Sequence, residues 1–171
     1  MRTFGWRHLR SVLALPVVVT IVVPTWIVMR GPPLLFGWSD RLIFRALVIA
    51  LGVAFMAAGL SLAVRTIALF AHEGDGTLAP WDPPATFVAS GPYRRVRNPM
   101  ISAVLIILIG ESLFTGSQVI AGLAVVFFFM NVIYFRLVEE PGLDRRFGNE
   151  YRHYKAAVPR WIPRPTPWKN A

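Results

Sequence analysis

Cysteine is absent from this chain, and with it go thiolate nucleophiles, disulfide staples and thiolate metal sites. Histidine is scarce. His8, His72 and His153 lie far apart, in no spacing that would ligate a metal or a haem. Metal and haem-linked redox chemistry are therefore not expected. Charge is also thin: only 16% of the 171 residues are Asp, Glu, Lys or Arg, against 55% hydrophobic residues. So little charge does not cover a soluble domain of this size. No Walker or dinucleotide fingerprint occurs, since the GDGT of residues 74–77 has neither the spacing nor the strand context.

What charge there is has one dominant sign, +9 net, and is segregated. Short Arg-rich segments alternate with long apolar runs, the expected division between hydrocarbon and headgroup. Nucleic acid is not the expected partner, because the basic residues flank apolar spans and belong to no recognition module. Anionic lipid on the cytoplasmic leaflet explains them more directly.

The apolar runs predict an all-α, polytopic membrane bundle of about four spans in a single domain over residues 1–171. Residues 1–70 supply two N-terminal helices, and residues 71–171 supply the core. Ser11–Met29 follows the basic Met1–Arg10 and is long enough to span, with no small-residue cleavage pattern after it. It reads as a retained first helix, bent at Pro16 and Pro24. Arg30–Asp40 is a loop. The second span, Leu42 to about Phe70, carries Gly52, Gly59, Ala54, Ala57, Ala58 and Ser61, which allow close helix approach. Arg65 marks its emerging end.

His72–Ser90, with two glycines and three prolines, is a connector or a structured loop over a site. Met100–Phe114 is apolar but only roughly 22 Å long as a helix, which leaves a partly re-entrant hairpin open. Thr115–Ser117 is a turn, and Gln118–Val138 a full span. The last two spans thus form a helical hairpin that enters and leaves on one side. With both termini cytoplasmic, Arg2, Arg7, Arg10, Arg65, Arg94, Arg95, Arg97 and the basic C-terminal segment all fall inside. Only Arg30, Arg41 and Arg45 lie near the outer face.

After the hairpin the pattern changes. Pro141 suits the first turn of a new helix. Leu143, Phe147, Tyr151, Tyr154 and Val158 recur at steps of three and four, an amphipathic stripe. This C-terminal helix, Glu139–Ala157, is expected to lie on the cytoplasmic membrane surface or to cap the bundle, with Arg145, Arg146, Arg152 and Lys155 on its other faces. The proline-rich Val158–Trp168 is extended, with Trp161 and Trp168 as interfacial anchors.

Three polar clusters meet one membrane face: residues 91–99, Glu139-Glu140, and Tyr151, Tyr154, Pro159 and Arg160. The hairpin makes the first two neighbours. Carboxylates beside arginines suit a zwitterion, with amino group to Glu and carboxylate to Arg. Tyrosine faces suit a sulfonium. Solvated headgroup anchors are the plainer reading, and adjacent glutamates on a helix point about 100° apart. Glu111 reads as a structural group near the turn, and Asn131 as either site-facing or a tie between helices.

GPYRRVRNPM, then EEPGLDRRFGNEYRHYKAAVPRWIP, resembles the membrane methyltransferases that include isoprenylcysteine carboxyl methyltransferase and the bacterial phospholipid N-methyltransferases. The resemblance covers roughly residues 70–165 and rests on the order and spacing of all pieces around a hairpin. It implies an integral membrane enzyme, in a bacterial inner membrane, that transfers a methyl group from S-adenosylmethionine to a lipophilic acceptor near the cytoplasmic face. The acceptor is a carboxylate, an amine or a thiol. Cofactor-binding residues by that resemblance are Tyr93, Arg97, Asn98, Pro99, Glu139, Glu140, Leu143, Tyr151, Tyr154, Val158 and Pro159. Arg97 and Glu140 are the implied catalytic residues. Ile101 replaces the family's usual tyrosine, and Ala157 its usual basic residue, which counts against a prenylcysteine carboxylate. The competing reading is a non-enzymatic lipid-binding or transport-associated membrane protein, although no internal repeat of the transporter kind is visible.

Overall fold

Apolar runs of this length have one way to satisfy their backbone without water, which is to wind into helices. The computed structural model describes residues 13–30, 41–73, 87 and 89–169, and among them the chain is helical with no β-strand. The expectations for Met1–Arg10, for the loop after Arg30 and for most of the segment between Glu73 and Ser90 lie outside the described residues.

The first helix has two windings. Leu13–Val22 is π-helical around Pro16, and Val23–Arg30 continues as α-helix (α1). A proline in a helix lacks a donor and crowds the carbonyl four residues back, and a wider winding makes room for it. Thr20 Oγ1 donates to the Pro16 carbonyl at 2.6 Å. Pro24 is buried and falls where the two windings meet. The predicted bend is therefore a change of winding.

Helix α2, Leu42–Glu73, runs past its expected end, so Arg65 lies within it. It packs most closely on α3, Pro99–Thr115. A Cβ on Gly110 would sit 2.7 Å from the Gly52 carbonyl oxygen, and one on Gly59 2.9 Å from that of Ala103. The small residues of the second run are thus the contact surface for the third. Helix α3 ends at Gly116, in the left-handed region at φ 73°. Ser117 then caps α4, Gln118–Tyr134, its hydroxyl accepting from the Ile120 N–H. Ser112 Oγ donates to the Ser117 carbonyl at 3.0 Å and ties the turn back onto α3. The hairpin follows from these three residues. Val104, Leu108, Ile120 and Ala124 form the core between its arms.

The end of the hairpin departs from expectation. No new helix starts at Glu139. The winding widens into a π-helical stretch, Phe135–Glu139, and runs on without a turn into α5, Glu140–Ala157. Pro141 explains this, because its ring and missing N–H fall on the Leu137 carbonyl, within the wide turn. The break comes instead at Gly148, whose φ of 53° and ψ of −124° are non-helical. The apolar stripe crosses that break intact. Leu143, Phe147, Tyr151, Tyr154 and Val158 bury one another with Phe87, Ala89 and Trp168. The apolar face of α5 packs on the chain's own loop and tail.

Among the described residues two helices are long and apolar enough to cross a membrane, Leu42–Leu69 and Gln118–Ala157, the second including the polar α5. Pro16–Arg30 and Pro99–Thr115 are shorter apolar helices. Large side chains such as Leu47, Leu51, Val126, Phe129, Met130 and Ile133 are exposed on α2 and α4. That surface suits lipid and not water.

Candidate cofactor site

The segment before α3 is compact because the tail straps it. Gly91, at φ 51°, opens a 3-10 turn, Gly91–Arg94. The tail then bonds it from outside. Pro159 O accepts from the Arg97 N–H at 3.0 Å, Arg95 O from the Arg164 N–H at 2.9 Å, and Arg94 O from the Trp168 N–H at 2.8 Å. Arg94 Nε returns a bond to the Trp168 carbonyl. Tyr154 donates its phenol to the Tyr93 carbonyl at 2.8 Å, and Trp168 packs on the Tyr154 ring at 5.4 Å. Trp161 stands against Phe128 and Phe135. Both tryptophans expected as interfacial anchors therefore pack on protein rings.

Glu140 lies at the centre of the strapped region, its side chain only 8% exposed. Arg97 Nη1 donates to its Oε1 at 2.8 Å, as do Arg160 Nε at 2.8 Å and Nη2 at 2.6 Å. Lys155 Nζ stands 3.2 Å from Oε2 and 3.3 Å from Asp144 Oδ2. The sequence pattern puts Lys155 on a face other than the apolar stripe. The break at Gly148 brings it inward, over the Tyr151 ring at 5.7 Å.

Glu139 is placed differently. It is half-buried and has no cationic partner among the described residues. It belongs to the polar end of the hairpin, beyond the apolar span that closes at Val138. Burial, and then the charge of Glu140, push its carboxyl up to about 7. Burial first, and Glu139 second, hold the Tyr93 phenol well above its usual range. Tyr151 is pushed up to about 12 by burial and Glu140, with Arg97 acting against them. Tyr154 is raised, first by burial. These phenols stay protonated at neutral pH and offer donors and ring faces, not bases.

Two buried donors have no acceptor among the described residues: Arg97 Nε and Asn98 Nδ2. Asn98 holds the N-cap position of α3 without capping it. Buried donors are rarely left unpaired, so their presence beside a cluster of cations fits a ligand that carries an anionic or oxygen-rich group. The donor set also fits the zwitterionic end of an amino acid, since Glu139 is a carboxylate without a cation.

Every site residue expected from the sequence falls in this region. Arg97, Glu140 and Pro159 are in direct contact. Tyr93 meets Tyr154, and Leu143, Tyr151 and Val158 share one cluster. Pro99 is buried behind Asn98. Sequence reasoning missed Lys155 and Phe87, and left Arg160 without a role. Phe87 stacks near Phe147, Tyr151 and Tyr154 at 5.1–5.9 Å. Only Arg160 carried a signal, its position next to Val158-Pro159.

Glu111 and Asn131 lie elsewhere. Asn131 Nδ2 donates to the Phe127 carbonyl in its own helix, tying no second helix. The turn reaches Glu111 through the main chain, where Thr115 Oγ1 donates to its carbonyl oxygen at 2.6 Å. Its Oε2 is buried without a hydrogen-bond partner among the described residues.

The phospholipid methyltransferase family matches the chain over residues 47–150. An uncharacterized protein of Haemophilus influenzae is 38% identical over 64 residues, which are 37% of this chain and 100% of that protein. No solved structure matches.

Proposed function

Because the chain belongs to the phospholipid methyltransferase family, we propose that it transfers a methyl group from S-adenosylmethionine to a lipophilic acceptor held at the membrane. The acceptor is a carboxylate, an amine or a thiol. Family membership makes it a membrane methyltransferase; the cofactor, the acceptor class and the residue roles are the proposal. One observation carries the reading at residue level. The Arg97–Glu140 ion pair, the uncompensated Glu139 and the two unpaired donors of Arg97 and Asn98 stand together at one end of the hairpin.

Arg97, Asn98, Pro99, Glu139, Glu140 and Tyr93 form one wall of the proposed pocket. Leu143, Tyr151, Tyr154, Val158 and Pro159 form the other. When bound, S-adenosylmethionine supplies an electrophilic methyl on a sulfonium, open to direct displacement. The chain's own task is placement and exclusion of water. The tail strap and the Phe87–Tyr151–Tyr154–Trp168 cluster exclude water, and the tyrosine faces favour a cation. The exposed apolar surface of α2 and α4 gives a lipophilic acceptor a route from the bilayer.

The proposed arrangement has about four spans and both termini cytoplasmic, which sets the pocket at the cytoplasmic face of a bacterial inner membrane. The non-enzymatic reading would gain from clusters 91–99 and 139–160 lying far apart, and Arg97–Glu140 joins them at 2.8 Å. Equilibrium dialysis of the detergent-purified chain with S-adenosylmethionine tests the proposal. Saturable binding is expected. Folded protein that binds none overturns it. Methyl-labelled cofactor given to membranes with and without this chain then identifies the acceptor from the labelled lipid.

A further inference from the structure

The two adjacent glutamates differ in how many donors they already hold. A carboxylate has about four lone-pair sites for donors. Glu140 already holds four donors, unevenly shared: Arg97 Nη1, Arg160 Nε and Arg160 Nη2 converge on Oε1, and Lys155 Nζ alone is at Oε2. Three cations surround it, so the local field repels an incoming ammonium and attracts an anion. Glu139, one residue earlier on a helix, faces another direction and has no cation among the described residues. Next to the Glu140 cluster, Arg97 keeps Nε and Asn98 keeps Nδ2 without acceptors. The chain thus presents an acceptor without a cation and donors without an acceptor, separated by a carboxylate that three cations already hold.

From this geometry we infer that the glutamates have separate roles toward the methyl donor proposed above: Glu139 takes its ammonium, Arg97 and Asn98 take its carboxylate, and Glu140 contacts neither. Glu140 is a positioning residue. It fixes Arg97 from Nη1, with Arg160 and Lys155 as counterweights, and leaves Nε for the ligand. Glu139, which burial and then the charge of Glu140 raise to about 7, is the carboxyl that an ammonium relieves. The inference rests on the methyltransferase reading, and its test separates the two.

Isothermal titration of the full chain in detergent with three probes reads each contact. S-adenosylmethionine carries the ammonium, the carboxylate and the sulfonium, its decarboxylated analogue the ammonium and the sulfonium, and methylthioadenosine none of the three, so the first two probes are compared for the carboxylate and each probe is compared across variants for the rest. Glu139→Gln weakens the first two equally, by about tenfold, and leaves methylthioadenosine unchanged. Asn98→Ala weakens S-adenosylmethionine alone. Glu140→Gln behaves as Asn98→Ala does, and Glu140→Asp recovers part of the loss. Uniform loss across all three probes in the Glu140 variants overturns the positioning role. Loss of decarboxylated-analogue binding in Glu140→Gln but not in Glu139→Gln overturns the assignment while the methyltransferase reading stands. If the unaltered chain binds none of the three, both fall. If Glu140→Gln does not fold, Glu139→Gln and Asn98→Ala still decide.

Discussion

At the scale of the residue, neighbours in sequence become opposites in environment. Glu139 and Glu140 are one step apart, yet among the described residues Glu140 holds three cations and Glu139 none. Two measurements follow. Removing the Glu140 carboxylate strands Arg97 and Arg160, which are 12% and 22% exposed. Breaking a buried pair from one side costs about 3–5 kcal/mol. Lys155 is more exposed and adds little. Glu140→Gln is therefore expected to lower stability by about 3 kcal/mol, read as a fall in thermal midpoint in detergent.

Glu139 gives the pH dependence. Its folded carboxyl, at about 7, lies above the usual 4.5, so the folded state holds the proton more tightly than the unfolded state does. That stability is complete below the usual value and is lost as pH rises through about 7. Ligand-free protein should lose on the order of 3 kcal/mol over this window through Glu139. In Glu139→Gln that loss disappears from the curve of melting temperature against pH.

At the scale of the element, glycines mark which helix faces touch protein and which are open. A Cβ at Gly110 meets the Gly52 carbonyl oxygen and the Met56 backbone nitrogen at 2.7 and 2.8 Å, atoms that cannot swing aside. Gly110→Ala should force α2 and α3 apart, at about 1–3 kcal/mol. Gly122 is exposed on α4 and a Cβ there meets nothing within 4 Å. Gly122→Ala should be neutral or slightly stabilising, by up to about 1 kcal/mol. Thermal unfolding of the two variants side by side checks the contrast.

Gly148 is a different case. Its Cβ would also meet nothing, but its φ of 53° strains any side chain. Gly148→Ala should cost about 1–2 kcal/mol. A straightened α5 would also carry Tyr154 off the Tyr93 carbonyl, so binding of the methyl donor should fall further than stability does. Titration alongside the thermal melt reads both.

At the scale of the whole molecule, the tail holds the site together. Pro159, Arg164 and Trp168 bond the backbone of Arg94, Arg95 and Arg97 across more than sixty residues of chain. Prolines in the tail leave its carbonyls and few N–H groups free of helix, and so available to another segment. Chain shortened to residue 162 loses the Arg164 and Trp168 bonds and the Trp168–Tyr154 contact. Backbone amides of residues 93–97 should then exchange hydrogen about tenfold faster or more, while α2 and α3 keep their protection. Hydrogen-exchange mass spectrometry measures this directly.

The sequence by itself determined the apolar helices, the turn at Thr115–Ser117 and the gathering of residues 91–99 with 139–160. Hydrophobic length, a left-handed glycine and a capping serine are local facts, and a hairpin returns its ends to one place whatever else the chain does. Motif order determined the family in the same way, because it is written along the chain. Only the tertiary structure decided where the C-terminal helix breaks, which way Lys155 turns and which glutamate is left without a cation. Pro141 and Gly148 are both helix breakers in sequence. Only the wide π turn that accommodates the first and the positive φ of the second show which one breaks the helix. Charges, finally, find their partners in three dimensions. Arg160 is twenty residues and Arg97 forty-three from the carboxylate they share, and no periodicity connects them.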